Sequence, residues 1–338
     1  MFKLDIVIPI FNEEENLSEL RRRLFEVCDG LEDSNWRVIF VNDGSNDNSL
    51  SIMQNLCEQD PRFSVIDLSR NFGHQPAIAA GLAHSDGDAV IIMDGDLQDP
   101  PELIPELVAS WQGGAQVVRA ERRSRQEKGL RRMGFDLFHK FFGWISDFPL
   151  PSQTGIFGLM DRQAVMELNR FPEKNRFFPG LRGWVGFKQG VVYYDRKGRR
   201  AGEPKQSFSR LVRYALDGIF SFSYKPLRIM TGTGALISSV GFLLAFFFVI
   251  RRLVGIEIAQ TGFTTLVTLV LFLGGVQLIA IGLLGEYLLR IYDEVKKRPL
   301  YIVKSQYGPA VGRTGNKKKG IPGVSDNQDL SDSPDTTE

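Results

Sequence analysis

The sequence predicts an α/β domain with a mostly parallel sheet, followed by juxtamembrane helices and two membrane-spanning helices. Three observations carry this reading: short β-branched runs alternate with helix-like segments in the first half, polar clusters sit at the ends of those runs, and two long uncharged stretches occupy the second half. Runs at 4–10, 36–42, 63–68, 88–93 and 115–119 read as strands, and the first four are each followed by about three helical turns or more, the alternation of a parallel sheet covered by helices. Asn12 is placed to cap a helix at 13–28, Asp47 one at 48–59, and Pro101 holds a first-turn position where proline is tolerated. Ligands of such sheets gather beyond the carboxyl ends of the strands. Pro9 to Glu14, Asn42-Asp43-Gly44-Ser45 and Asp94-Gly95-Asp96 should therefore converge on one crevice.

Residues 229–250 and 264–285 are each twenty-two residues long and carry no charge. At about 1.5 Å per residue either reaches about 33 Å, enough for a hydrocarbon core of about 30 Å. Their connection holds Arg251, Arg252 and Glu257, whereas Lys205, Arg210, Arg213, Lys225 and Arg228 precede the first stretch and Arg290, Lys296, Lys297, Arg298 and Lys304 follow the second. That bias puts both termini on the cytoplasmic side. Between 206 and 228 aromatic and basic residues mix, the pattern of an interfacial helix seated on anionic lipid. The expected organisation is thus a catalytic domain at 1–205, an interfacial segment at 206–228, spans at 229–250 and 264–285, a cytoplasmic juxtamembrane segment at 286–307 and a disordered tail at 308–338.

At 338 residues and 43% hydrophobic content the chain can build a real core. Its net charge of +1 hides basic clusters at 119–132 and 196–228 and an acidic end, so local charge is more informative than the total. Cys28 and Cys57 fall on predicted helices without metal-ligand spacing and read as free thiols. The N-terminus enters a strand directly, without the pattern of a signal peptide. The first strand's exit lacks a dinucleotide-binding glycine motif, and no Walker-type lysine loop follows any strand, which disfavours an NAD enzyme or a P-loop NTPase. The basic clusters adjoin membrane segments and match no nucleic-acid reader, so no nucleic-acid partner is expected.

In A-V-I-I-M-D-G-D-L-Q-D-P-P, at 89–101, a hydrophobic strand ends in two carboxylates separated by a glycine. Such a pair suits a hard divalent cation that takes its other ligands from water and a diphosphate. Alone, the pair also reads as a solvated turn. The second exit, V-N-D-G-S-N-D-N-S, offers carboxylate and amide groups to a base or ribose, or simply a helix-capping turn.

In order, I-P-I-F-N-E-E-E-N, V-N-D-G-S-N-D-N-S and D-G-D-L-Q-D-P-P resemble the inverting glycosyltransferases of family 2 with a GT-A nucleotide-sugar-binding fold. The continuation R-L-V-R-Y-A-L-D-G-I-F-S-F-S-Y-K-P-L-R and the two apolar stretches are similar to polyisoprenyl-phosphate glycosyltransferases, above all the bactoprenol glucosyltransferases; the dolichol-phosphate mannose synthases share the catalytic half. Over residues 3–305, the resemblance implies a catalytic set of Asp94, Asp96 and Gln98 around metal and diphosphate. Pro9, Asn12, Glu14, Asp43 and Asp94 would surround the donor, with Mg²⁺ or Mn²⁺ on Asp96 and Asp94. It further assigns the acceptor phosphate to Arg122 and Arg131, in a basic stretch that could equally be a solvated loop, and loop phosphate contacts to Arg196, Arg199 and Lys205. Two departures touch specificity and loop contacts: Ile156 replaces a frequent acidic residue in Q-T-G-I-F-G-L-M-D-R, and Pro204 and Gln206 replace the usual Ser and Tyr.

The implied reaction is inverting transfer of a hexose, glucose from UDP-glucose, onto undecaprenyl or another polyisoprenyl phosphate, by a multi-pass protein of the inner or plasma membrane whose catalytic domain is cytoplasmic. The rivals are the same transfer from GDP-mannose, UDP-N-acetylhexosamine or a UDP-amino-arabinose derivative, and a non-catalytic membrane transport or scaffold component. Nucleotide sugar, lipid phosphate and bilayer are the expected partners. Gly232, Gly234, Gly241, Gly274, Gly275, Gly282 and Gly285 would permit close helix packing, including in a homo-oligomer.

Overall fold

A computed structural model of the chain describes residues 1–122, 154–174, 176–194, 225–254 and 262–309. Its first part alternates as expected: β1 (Phe2–Ile10), α1 (Glu14–Cys28), β2 (Ser34–Asn42), α2 (Ser49–Gln59), β3 (Phe63–Leu68), α3 (His74–His84) and β4 (Ala89–Ile92). A short 3₁₀ turn at Pro101–Leu103 leads into α4 (Ile104–Gln112), then β5 (Val117–Arg122), β6 (Thr154–Asp161), α5 (Arg162–Arg170), α6 (Phe178–Trp184) and β7 (Gln189–Tyr194). Two long helices follow, α7 (Lys225–Leu253) and α8 (Phe263–Val295), and then β8 (Val303–Tyr307).

The described strands form one eight-stranded sheet in the order β7-β5-β6-β4-β1-β2-β3-β8. β1 pairs in parallel with β2 and β4, β2 with β3, and β5 with β7, whereas β6 runs against β4 and β5 and β8 runs against β3. The α/β class and the mostly parallel sheet therefore hold. β1 and β2 are buried on both faces because helices cover both. Leu17, Leu20 and Leu24 of α1, Met53 of α2 and Leu107 of α4 pack with Ile6 and Phe40 on one face. Ala77 and Ile78 of α3, Val165 of α5 and Leu181 of α6 pack with Val7 and Ile39 on the other.

At the amino edge of this sheet Asp5 is fully buried and is met by Arg37, whose Nε and Nη2 lie 2.8 and 2.9 Å from its two oxygens. The amides of Asp86 and Gly87 also donate to Asp5, at 2.7 and 2.8 Å. This satisfies a carboxylate that burial alone would penalise heavily.

Several expectations are corrected locally. Asn12 does not cap α1: Glu13 precedes the helix, and Asn12 sits in the left-handed region at φ 55° with its side chain turned toward the second loop. Asp47 lies one residue before the Asn48 cap of α2 and accepts the Ser49 amide at 3.1 Å and the Glu14 amide at 3.2 Å, bracing two helix starts. Partial burial opposes ionisation of Asp47, but these bonds outweigh it and hold its carboxyl below the usual range. Both cysteines are free thiols, Cys28 buried and Cys57 half-buried.

Among the described residues one stretch, Phe272–Val295 in α8, is long and apolar enough to cross a membrane, and none of its most apolar window is buried in the protein. The expected first span, 229–250, falls in α7, where the apolar stretch among described residues is the shorter Leu227–Leu243. After α8 the chain returns to the sheet. Lys174 donates its amide to Glu294 Oε1 at 2.7 Å and its ammonium to the Asp293 carbonyl, and Ser69 donates its amide to the Ile302 carbonyl at 2.9 Å just before β8 begins. The stretch at 286–307 thus ends in an edge strand that the sequence reading did not anticipate. Gly308 and Pro309, placed by expectation in a disordered tail, are ordered beside β3, and Ser64 Oγ lies 3.4 Å from the Pro309 carbonyl. The remainder of the expected tail, 310–338, and the interfacial segment at 206–224 lie outside the described residues.

Candidate active site

The three polar clusters do meet at the carboxyl edge of β1, β2 and β4. Pro9 is buried within β1 opposite Val41, and the chain leaves the strand at Ile10. Asn12 donates its amide to Ser45 Oγ at 3.1 Å and accepts the Asn46 amide on Oδ1 at 2.8 Å. Glu14 accepts the Asn48 amide on Oε2 at 2.8 Å. These bonds lock the loop after β1 to the loop after β2. Gly44 makes that second loop possible: it has φ 68°, and a Cβ there would stand 2.5 Å from the Asn71 amide nitrogen.

Asp43 follows β2 and is almost completely buried. Its oxygens accept the amides of Phe72 and Gly73 at 2.7 and 2.9 Å, which draws the segment after β3 into the crevice. Burial pushes the Asp43 carboxyl up, and the two amides with nearby His74 and Arg70 only partly offset this.

His74 opens α3 and reaches Asp94, with Nε2 2.8 Å from Asp94 Oδ1. The ionised carboxylate can only accept, so Nε2 carries the proton. Desolvation works against the imidazolium, but the bond to Asp94 and the charges of Asp94, Asp43 and Asp99 together raise the His74 pKa. Asp94 donates its amide to Asp99 Oδ2 at 3.1 Å, and Tyr194, at the end of β7, donates its hydroxyl to Asp99 Oδ1 at 3.2 Å. Asp96 accepts the Gln98 amide on Oδ1 at 3.1 Å, an arrangement completed by Leu97 in the left-handed region at φ 60°. Between the two acids Gly95 lies against β1, where a Cβ would come 2.3 Å from Ile10 Cδ1.

Pro9, Asn12, Glu14, Asp43, Asp94, Asp96 and Gln98 thus all lie at one edge, where hydrogen bonds join the segments that follow β1, β2, β3 and β4. Arg122 closes β5 opposite Tyr194, but its side chain lies outside the described residues, as do Arg131, Arg196, Arg199 and Lys205. Ile156 lies in β6, and its carbonyl accepts from Arg182 Nη1 at 3.0 Å, while the Gly155 carbonyl accepts from Nη2 at 2.7 Å. His74, Asp99 and Tyr194 were missed by sequence reasoning. His74 could have been found as a titratable group opening a helix directly after a strand exit, and Asp99 as the third acid of D-G-D-L-Q-D.

Among the described residues no three His, Cys, Asp or Glu side chains gather as a self-sufficient metal cage. Two oxygen donors on one turn do fit a hard cation that completes its shell with water and a diphosphate. Asp94 and Asp96 are the residues that would hold it.

The sequence profile of glycosyl transferase family 2 matches residues 5–171, which span β1 to the end of α5. An SfII prophage-derived bactoprenol glucosyl transferase of Shigella flexneri is 42% identical over 306 residues, covering 90% of this chain and 98% of its own length. The chain belongs to glycosyltransferase family 2. An uncharacterized glycosyltransferase of Synechocystis sp. is 44% identical over 90% of this chain and 96% of its own length, and a prophage bactoprenol glucosyl transferase homolog of Escherichia coli K12 is 41% identical over 89% and 98%. The family-2 enzyme has a GT-A-like α/β architecture with a mostly parallel sheet, and the likeness to its relatives continues through the apolar helices.

Proposed function

We propose that this glycosyltransferase moves glucose from UDP-glucose, with inversion, onto undecaprenyl or another polyisoprenyl phosphate at the cytoplasmic face of a membrane. The observation that carries the proposal is the joining of Asp43 to Asp94, separated from Asp96 by Gly95 alone, through the segment Phe72–His74, in a chain whose likeness to bactoprenol glucosyl transferases runs nearly end to end. In this reading Asn12, Glu14 and Asp43 shape the pocket for uridine, while Asp94, Asp96 and Gln98 face the diphosphate. A bound Mg²⁺ or Mn²⁺ supplies neutralisation of the charge that develops on the departing nucleotide. The buried Asp43 fixes the segment Phe72–His74, and His74 in turn holds Asp94 in one orientation.

A lipid phosphate oxygen forms the new bond to the anomeric carbon as the bond from that carbon to the diphosphate oxygen breaks. The products are UDP and a β-linked glycosyl phosphate lipid. With a second pKa near about 6 the phosphate is already anionic at neutral pH, so no strong base is required. Arg122 and Arg131 are proposed to receive that phosphate, and Arg196, Arg199 and Lys205 to make further phosphate contacts, since a guanidinium matches phosphate with a planar fork and an ammonium adds a point charge.

A two-span, multi-pass topology is supported by β8. Because β8 pairs with β3, the chain that leaves the catalytic domain for the apolar helices comes back to it. A crossing by Phe272–Val295 therefore needs a second crossing, for which α7, with its shorter apolar stretch Leu227–Leu243, is the other candidate among the described residues. Transfer of labelled sugar to undecaprenyl phosphate by the purified full chain, with UDP-glucose, GDP-mannose, UDP-N-acetylglucosamine and a UDP-amino-arabinose as donors, tests the proposal. Labelled lipid from UDP-glucose is expected; its formation only from another donor would change the assigned sugar, and its absence from all four would reject the reaction.

A further inference from the structure

The strand that follows the apolar helices is tied to the loop after β2 by an unbroken line of hydrogen bonds. Ser305, on β8, donates from Oγ to Asp67 Oδ2 at 3.1 Å. Asp67 lies on β3, in register with Asn42 on one side and Ser305 on the other. Its Oδ1 accepts from Asn42 Nδ2 at 2.8 Å, and Asp67 and Asn42 are each 2% exposed. Asn42 Oδ1 then accepts the Ser45 amide at 3.2 Å, and Ser45 Oγ accepts the Asn12 amide at 3.1 Å.

The order of donors and acceptors along this line is forced. A carboxylate only accepts, so the face of the Asn42 amide turned to Asp67 must be its NH₂. Its oxygen is then directed at the Ser45 amide. Were the Asn42 amide reversed, oxygen would face oxygen at Asp67 and NH₂ would face N–H at Ser45, two conflicts in a buried position. Asp67 is in turn oriented by the Ser305 hydroxyl, with the Lys304 ammonium 3.9 Å from the same oxygen.

We infer that Asp67 and Ser305 are positioning residues for the loop 42–46, and that the chain beyond the apolar helices thereby helps to set the geometry of the donor crevice. What that loop binds rests on the nucleotide-sugar reading above; the positioning itself does not.

The experiment uses the full chain in lipid nanodiscs and compares Ser305→Ala, Ser305→Thr, Asp67→Asn and, as a control on the other side of the strand, Gln306→Ala. Hydrogen exchange is followed in the peptide covering 42–48, alongside KM and kcat for UDP-glucose and for lipid phosphate. Loss of one net hydrogen bond should speed exchange in that loop by about fivefold in Ser305→Ala. The KM for the nucleotide sugar should rise by a similar factor, with kcat and the KM for lipid unchanged. Ser305→Thr, which keeps the hydroxyl, should restore both readouts. Asp67→Asn, which lets the Asn42 amide reverse, should reproduce the Ser305→Ala pattern even if one of the two variants folds poorly, and Gln306→Ala should match wild type. Unchanged exchange in the loop, or equal changes in Ser305→Thr and Gln306→Ala, would overturn the inference. Faster loop exchange in a protein that binds no nucleotide would uphold the positioning role while rejecting the donor reading.

Discussion

The two edges of the sheet treat buried acids differently. At the amino edge Asp5 is matched by the fork of Arg37 and two amides, a closed set of partners whose role is to hold β1, β2 and the turn before β4 together. At the carboxyl edge the partners seen among the described residues are of another kind: backbone amides for Asp43, the His74 imidazole for Asp94, and an amide and the Tyr194 phenol for Asp99. One arrangement consumes the negative charge in stabilising the fold. The other orients its carboxylates at the strand exits, where the proposed reaction would bring a cation with its substrate.

That contrast can be broken most directly at Asp96. Asp96→Asn is expected to lower transfer by about 10³-fold, or ~4 kcal/mol of barrier, while thermal stability stays close to wild type. A large drop in melting temperature with normal turnover per folded molecule would put Asp96 in the same class as Asp5. The reverse holds for Asp5→Asn. Taking the buried Asp5 charge away from the Arg37 guanidinium, which keeps Asp86 as its second partner, should reduce unfolding stability by about 3 kcal/mol, with kcat per folded molecule preserved, as read from denaturant melts alongside activity.

His74 sharpens the comparison within the carboxyl edge. Removing a hydrogen bond to a charged group in His74→Ala should cost about 2 kcal/mol, seen as a roughly thirtyfold rise in the Mg²⁺ or Mn²⁺ concentration needed for half-maximal transfer. An unchanged metal requirement would remove His74 from the support of Asp94. The smallest effect is expected at the two thiols of α1 and α2. Burial pushes the Cys28 thiol up to about 12 and the Cys57 thiol up to about 11, so in the folded protein both should resist iodoacetamide at pH 8, Cys28 more than Cys57, without consequence for transfer. Rapid labelling of Cys28 under native conditions would contradict the packing around α1.

β1 to β4 were legible because strands buried on both faces must be continuous β-branched runs, and their polar exits stand out against that background. β6 and β8 were not, since their places depend on antiparallel pairing with strands distant in sequence. In β8, V-K-S-Q-Y carries only a faint alternation. Most of the described site residues could be named from their motifs, yet their connections could not. Nothing local to Asn12 reveals that it turns away from its own helix toward Asn46, and nothing local to His74 reveals that Asp94 awaits it across the crevice. Arg122, Arg131, Arg196, Arg199 and Lys205 retain the roles that sequence likeness and proposal give them.

The position of β8 also bears on how the catalytic domain behaves when separated from its helices. A fragment ending near residue 205 would look complete by its motifs, but it would expose the backbone donors and acceptors of β3 that β8 now covers. An uncovered strand of F-S-V-I-D-L is a template for pairing with another molecule. Such a fragment should self-associate through that edge, and adding residues 300–309 back in trans should suppress the association by occupying it.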